Sequence, residues 1–107
     1  MTEGQLLLAI LSAKDNPGST SLVVGRDHVQ CGALQRAALK HLRAAGVSYK
    51  SLVSRRQITL ENGSKITFKP GNSPDSLRGI EALTCVVDEF AGEEAKLNAA
   101  IVTGRRA

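Results

Sequence analysis

Apolar runs alternate along the chain with polar and glycine-containing segments, and the length of each run predicts its element. Six consecutive apolar residues, Leu6 to Leu11, follow a capping box formed by Thr2 and Gln5. They predict a largely buried helix over residues 3–14. A short β-branched run then predicts a buried strand over residues 20–25.

The next segment has helical periodicity and two distinct faces. Asp27 and Gln30 form a second capping pattern, which begins a helix predicted over residues 28–45. The face predicted to be buried consists of Cys31, Leu34, Ala38, Leu42 and Ala45. The opposite face carries a basic stripe of Arg36, Lys40 and Arg43.

Apolar and polar residues then alternate with a period of two, which predicts a β-hairpin at about residues 57–68. A two-residue turn at Asn62-Gly63 would place apolar residues opposite polar ones. A loop with an odd number of residues restores the match between the faces. We therefore predict a loop over residues 61–63, with Ile58 opposite Ile66.

Four further segments complete the pattern. Residues 48–53 are a candidate short strand, and residues 69–78 are predicted as a loop because Pro and Gly recur there. Residues 83–88 predict a buried strand, and residues 92–103 a short helix rich in Glu and Ala. Strands separated by helices favour a single α/β domain in which the two buried strands pair in parallel.

Composition narrows the function classes only moderately. The 107 residues suit one domain, and the formal charge of +4 permits a nucleic-acid partner without requiring one. The three aromatic residues leave few platforms for stacking unpaired bases. The longest apolar run is far too short to span a membrane. The chain has two cysteines and no secretory signal, so we expect a reducing, cytoplasmic setting.

Two adjacent carboxylates, Asp88 and Glu89, directly follow the last apolar strand. In ATPases the first carboxylate at such a position holds the magnesium ion that bridges the terminal phosphates. The second can orient and deprotonate the attacking water. The alternative is that the two residues only cap the next helix, and the pattern taken alone favours that alternative.

The surrounding sequence carries a resemblance. A hairpin, then Leu77-Arg78-Gly79, then a strand ending in Asp88-Glu89 occur together between residues 62 and 91. This combination resembles the ATPase domain of phage terminase large subunits, the motors that package viral DNA. The segment over residues 17–46 resembles that family's second core strand and the helix after it.

The resemblance implies a fold and roles for individual residues. The fold is a small, partial P-loop-type (ASCE-like) α/β layer with two buried parallel strands, a β-hairpin and three helices. By the same resemblance the cofactors are Mg²⁺ and ATP. The resemblance further implies that Asp88 is the metal ligand and Glu89 the catalytic carboxylate.

The sequence also departs from the family. It contains no G-x-x-x-x-G-K-[S/T] phosphate loop (Walker A), and the family's coupling motif and nuclease domain are not found in these residues. We therefore expect a central fragment in which Asp88 and Glu89 are vestigial. The isolated chain is expected to bind neither Mg²⁺ nor ATP and to catalyse no hydrolysis on its own.

The missing family elements also affect the predicted sheet. In the family a later strand pairs with the strand that corresponds to residues 83–88, and that later strand is not found here. An open strand edge favours pairing with another chain. We expect a protein partner or a second copy to bind at this edge, which contains Leu83, Cys85 and Val87.

Several basic and metal-ligating residues are weaker candidates. Double-stranded DNA could contact the basic stripe and Arg78, although a solvated helix face is the favoured interpretation of the stripe. Arg55-Arg56 and Arg105-Arg106 are further basic pairs near predicted loops. A metal site formed by His28, Cys31 and His41 is disfavoured, because His41 lies about three helical turns from the other two.

Three function hypotheses follow. The first is a fragment of a terminase-like packaging motor that works in the host-cell cytoplasm. The second is a small phage-encoded interaction or inhibitor protein that binds a protein partner. The third is a basic DNA-binding accessory protein.

Overall fold

The structure is a computed structural model that describes residues 2–71 and 81–89 of the chain. Its elements are α1 (Glu3–Asp15), β1 (Thr20–Gly25), α2 (His28–Ala44), β2 (Tyr49–Leu52), a 3-10 turn (Val53–Arg55), β3 (Gln57–Leu60), β4 (Lys65–Pro70) and β5 (Thr84–Val87). The predicted helix over residues 92–103, Arg78 and the pair Arg105-Arg106 lie outside the described residues.

The five described strands form one mixed sheet in the order β2-β3-β4-β1-β5. β1 pairs in parallel with β5, which confirms the predicted pairing of the two buried strands and the α/β class. β1 also pairs in parallel with β4 on its other side, while β3 pairs antiparallel with both β2 and β4. The second strand of the hairpin therefore joins the hairpin to the parallel layer, a pairing that the sequence pattern did not predict.

The hairpin has the predicted register. Ile58 lies opposite Ile66, and the Leu60 N–H donates to the Ser64 carbonyl at 2.9 Å, which closes a loop over residues 61–63. Gly63 has a φ of 84°, a conformation that favours glycine. The Asn62 amide donates to the Ala13 and Lys14 carbonyls at the end of α1. These bonds satisfy carbonyls that a helix end leaves without partners, and they tie the hairpin loop to α1.

The prediction of a loop from residue 69 onward was wrong at its start. Lys69 and Pro70 belong to β4 and pair with Val24 and Gly25 of β1. Proline lacks a backbone N–H, and Pro70 lies beyond the last pair between β3 and β4, which is Gln57 with Thr67. The next residue resumes the hydrogen bonding, because the Gly71 N–H donates to the Gly25 carbonyl at 2.7 Å.

Both helices pack on one face of the sheet. The main core joins α1 and α2 to alternate strand residues such as Val23, Phe68 and Val86. The neighbouring strand residues point to the opposite face, where a second cluster contains Leu22, Val24, Ala82, Cys85 and Val87. On the helix side, the Ser12 and Thr84 hydroxyls are 2.5 Å apart and link α1 directly to β5.

The burial of α1 differs from the prediction. Leu6 and Ile10 are buried as expected, whereas Leu8 and Leu11 are 60% and 49% exposed. A continuous apolar run must place some residues on the outer face, because α1 meets the sheet along one side only. No helix among the described residues is long and apolar enough to cross a membrane.

The burial of α2 follows the prediction in part. Cys31, Ala38 and Leu42 are buried as predicted. Ala45 is exposed, because α2 ends at Ala44 and Ala45 is its C-cap residue. The buried face instead includes Gln35, whose amide donates to the Ser51 hydroxyl of β2 at 3.0 Å.

Candidate functional site

The carboxyl ends of three parallel strands meet at one edge of the sheet. Gly25 at the end of β1 pairs with Pro70 at the end of β4, and Val24 pairs with Val87 at the end of β5. The ladder continues one residue beyond β5, because the Asp88 N–H donates to the Val24 carbonyl at 2.8 Å. Open α/β sheets bind ligands in the crevice at this kind of edge. Asp88 therefore lies where the resemblance expects a metal-binding carboxylate.

Asp88 is fully buried, and a side chain of α2 holds it. The Gln30 amide nitrogen donates to Oδ1 of Asp88 at 3.1 Å. The Gln30 carbonyl oxygen accepts a hydrogen bond from the Arg26 N–H. One glutamine side chain thus bridges the turn after β1 and the carboxylate after β5. A buried carboxylate needs such donors, because its charge has lost most of its contact with water.

The sequence pattern assigned Gln30 only to a capping box, and half of that box is present. The Asp27 carboxylate accepts the Gln30 N–H at 2.8 Å, as an N-cap residue should. This bond holds the pKa of the Asp27 carboxyl below its usual value. The Gln30 side chain, however, reaches Arg26 and Asp88. Only the pairing of β1 with β5 brings Asp88 within reach, so the sequence pattern could not identify this role.

Gly25 allows the first turn of α2 to approach the site closely. A Cβ at position 25 would lie 2.9 Å from Sγ of Cys31 and 3.4 Å from the Gln30 side-chain oxygen. Cβ atoms are essentially never found within 3.0 Å of a non-bonded heavy atom. Glycine at this position therefore permits the close approach of Cys31 in the first turn of α2.

The two adjacent carboxylates have different surroundings. Glu89 is exposed, whereas Asp88 is buried beneath the start of α2. Proteins commonly hold Mg²⁺ through one or two carboxylates together with the phosphates of the substrate. The single buried carboxylate of Asp88 fits this donor set. Glu89 stands next to it on the solvent side.

The other candidate metal ligands do not form a metal site. His41 Nε2 lies 3.2 Å from a Glu3 carboxylate oxygen on α1, away from Cys31. Burial raises the pKa of the Cys31 thiol, which favours its neutral form. The described part of the chain contains no cluster of three or more residues that could hold a metal ion.

The predicted basic stripe lies along the exposed side of α2. Arg36, Lys40 and Arg43 are all exposed, as the helical wheel predicts. Arg43 is also fixed, because its Nε donates to the Tyr49 hydroxyl of β2 at 2.8 Å. A contact between this stripe and DNA stays a prediction.

β5 is the outermost strand on its side of the described sheet. The side chains of Cys85 and Val87 point away from the helices and pack with the second cluster. Burial raises the pKa of the Cys85 thiol to about 11. Leu83, just before the strand, is 45% exposed. Pairing at this edge would therefore use backbone groups, with Leu83 the most accessible of the three predicted side chains.

Comparison with known proteins gives a likeness of fold. No family profile and no curated protein matches the sequence. A large terminase from a thermophilic bacteriophage superposes with a TM-score of 0.75 at 17% identity, over 92% of this chain and 27% of that chain. The large terminase ATPase domain of Thermus phage P74-26 superposes with a TM-score of 0.72 at 16% identity, over 92% of this chain and 50% of that chain.

A further structure of a large terminase from a thermophilic bacteriophage, in complex with ADP, superposes with a TM-score of 0.67 at 19% identity. It is matched over 92% of this chain and 26% of its own length. The chain thus spans half or less of each of these three structures. Nearly all of this chain shares the fold found in the ATPase domain of a phage large terminase.

Proposed function

We propose that this chain supplies the metal-binding strand of a terminase-type, DNA-packaging ATPase. The observation that carries the proposal is the position of Asp88, buried at the carboxyl edge of a parallel sheet and hydrogen-bonded to Gln30 at 3.1 Å. The likeness to phage large terminases supports it, and one of those structures is an ADP complex. Such a motor would act on double-stranded DNA in the cytoplasm of the host cell.

Each residue of the site has a defined task in this proposal. Asp88 would hold Mg²⁺, and the ion would supply positive charge to neutralise the terminal phosphates of ATP. Gln30 orients the Asp88 carboxylate through Oδ1. Glu89 accepts a proton from the water that attacks the terminal phosphate. Its exposed position leaves it accessible to that water.

The nucleotide phosphates need further donors. The backbone N–H groups and the lysine of a phosphate loop provide most of the binding energy for a nucleotide. These 107 residues contain no phosphate-loop motif. We therefore propose that hydrolysis requires a phosphate loop that these residues do not provide. A protein partner or a second copy that pairs with the edge of β5 is the proposed means of completing the sheet.

Metal binding tests the proposal directly. Mn²⁺ can replace Mg²⁺, and its electron paramagnetic resonance signal reports bound and free metal separately. In contrast to the sequence expectation of a vestigial site, this proposal predicts weak Mn²⁺ binding that Asp88→Asn abolishes and that the control Asp15→Asn, at the exposed end of α1, leaves unchanged. Thermal melting of both variants checks that they fold. Equal Mn²⁺ binding by Asp88→Asn and the wild type would exclude the metal role of Asp88.

Phosphate release tests the second part of the proposal. The isolated chain should release no phosphate from ATP, because nothing in its sequence provides a phosphate loop. ATP hydrolysis that Glu89→Gln abolishes would show that the chain is active alone. That result would support the role of Glu89 and contradict the proposed need for a separate phosphate loop.

A further inference from the structure

A second feature of the molecule is a cleft on the β4 side of β1, whereas Asp88 lies on the β5 side. It is an open space of about 690 Å³ between the start of α2, the 3-10 turn and the ends of β3 and β4. Among the residues that the structure describes, four with basic side chains line it, and none of the described lining residues is acidic. They are His28, Arg55, Arg56 and Lys69.

Arg56 lines this cleft, and its backbone is held in a fixed conformation. Its φ is 48°, and it is the one non-glycine residue with a positive φ in the described part of the chain. This left-handed conformation costs an L-residue about 1–2 kcal/mol. Two backbone hydrogen bonds hold it, one from the Arg56 N–H to the Val53 carbonyl at 3.1 Å and one from the Phe68 N–H to the Arg56 carbonyl at 2.8 Å.

The Arg56 side chain has a fixed place as well. Its guanidinium lies directly over Gly32 of α2, where a Cβ would be 3.1 Å from the nearest terminal nitrogen. Glycine at position 32 leaves room for the guanidinium beside the helix. Arg56 as a whole residue is half-buried in this position.

The basic groups of the cleft lack counter-charges among the residues that the structure describes. The ion pairs there join Arg26 to Asp27 and His41 to Glu3, and neither pair includes a residue of the cleft. A half-buried arginine without a counter-ion loses solvation and gains no partner in return. A bound anion would supply the missing charge.

We propose that this cleft is a binding site for phosphoryl groups, with Arg55, Arg56 and Lys69 as the contacting residues. A guanidinium offers parallel N–H donors that match two phosphate oxygens, and an ammonium adds a point charge. The phosphoryl groups could belong to a free nucleotide or to the backbone of a nucleic acid, and both sources present the same chemistry. The proposal does not depend on the role of Asp88.

Isothermal titration tests this site with three probes: inorganic pyrophosphate, ADP and a short DNA duplex. All titrations contain EDTA, so that a metal held by Asp88 makes no contribution. The test variant is Arg55→Gln combined with Arg56→Asn, because asparagine tolerates the left-handed conformation of position 56. The control is Lys14→Gln combined with Lys50→Gln, which removes the same charge from exposed positions outside both the cleft and the basic stripe.

We expect at least one probe to bind the wild type, and the cleft variant to weaken that binding by at least about tenfold relative to the control. Loss of pyrophosphate and ADP binding would identify a nucleotide as the source. Loss of duplex binding alone would identify the nucleic-acid backbone. The proposal fails if no probe binds the wild type, or if the cleft variant and the control behave alike. Equal melting temperatures of the two variants show that a loss of binding is not a loss of folding.

Discussion

Gln30 and Asp88 are 58 positions apart in the sequence and are joined by a hydrogen bond of 3.1 Å from the amide nitrogen to Oδ1. The same Gln30 side chain accepts the Arg26 N–H. It therefore connects the end of the central strand β1 to the fully buried carboxylate that follows β5. This side chain therefore ties the start of α2 to the carboxylate that follows β5.

Replacing Gln30 should therefore destabilise the fold. Gln30→Ala removes a donor to a buried carboxylate and the acceptor of the Arg26 N–H, and we expect the free energy of unfolding to fall by about 2–3 kcal/mol. Urea denaturation at neutral pH measures this loss. The control is Gln5→Ala, which removes a half-buried glutamine of the α1 capping box and should cost about 0.5 kcal/mol. Equal losses for the two variants would contradict the structural importance of the bridge.

Gln30→Glu should add a dependence on pH. It places a second carboxylate against Asp88, and two close carboxylates raise the pKa of the pair. A raised pKa in the folded state means that stability is present when the pair holds a proton and is lost as the pH rises. We expect Gln30→Glu to be less stable than Gln30→Ala at pH 7 and to approach it at about pH 4. Denaturation curves that differ equally at both pH values would contradict this expectation.

Gly25→Ala should cost about 1–3 kcal/mol, because its Cβ would lie 2.9 Å from Sγ of Cys31. Combining it with Cys31→Ala should restore part of the loss, since the double variant removes the clashing sulfur. Gly4→Ala is the control, because a Cβ there meets nothing closer than 3.9 Å and alanine favours the helix. Strictly additive effects of Gly25→Ala and Cys31→Ala, measured by urea denaturation, would exclude the clash as the cause.

The thiol of Cys85 should make stability depend on alkaline pH. Burial raises its pKa from the ordinary 9.0 to about 11. The folded state keeps the thiol protonated where the unfolded chain has already lost the proton. The free energy of unfolding should therefore fall by about 2 kcal/mol as the pH rises from 9 to 11. In Cys85→Ala the free energy of unfolding should fall less steeply with pH over this range. An unchanged pH dependence in Cys85→Ala would show that other groups cause it.

Gly32→Ala changes the position of the Arg56 side chain and leaves its charge unchanged. The added Cβ would lie 3.1 Å from the guanidinium, so the side chain must move away from α2. Alanine also favours a helix interior over glycine by about 1 kcal/mol. We expect unchanged or slightly higher stability and weaker binding of pyrophosphate. An unchanged affinity for pyrophosphate would show that the contact of the Arg56 guanidinium with Gly32 does not contribute to anion binding.

The basic stripe can be tested by changing its three residues together. If DNA contacts Arg36, Lys40 and Arg43, replacing all three by Gln should weaken duplex binding and reduce the slope of log affinity against log salt by about 2.7. The control replaces Lys14, Lys50 and Lys65, three exposed residues outside the stripe, and changes the net charge equally. An equal loss in the control would attribute the effect to net charge alone.

The local sequence by itself determined where several elements begin and how they pair. Thr2 and Asp27 begin their helices, because a capping side chain and the N–H it accepts are only three residues apart. Ile58 lies opposite Ile66, because the period of two and the short loop leave one register that buries both. The position of Asp88 after an apolar strand was also evident from neighbouring residues alone.

The tertiary structure alone decided which distant segments meet. Three such contacts join residues that lie far apart in the sequence, so no periodic pattern could have predicted them. They are the parallel pairing of β4 with β1, the hydrogen bond from Gln30 to Asp88, and the contact of the Arg56 guanidinium with Gly32. Such contacts depend on the order of the strands, which is fixed when the whole core is buried at once. Sequence patterns describe the faces of single elements, and packing determines which faces and ends come together.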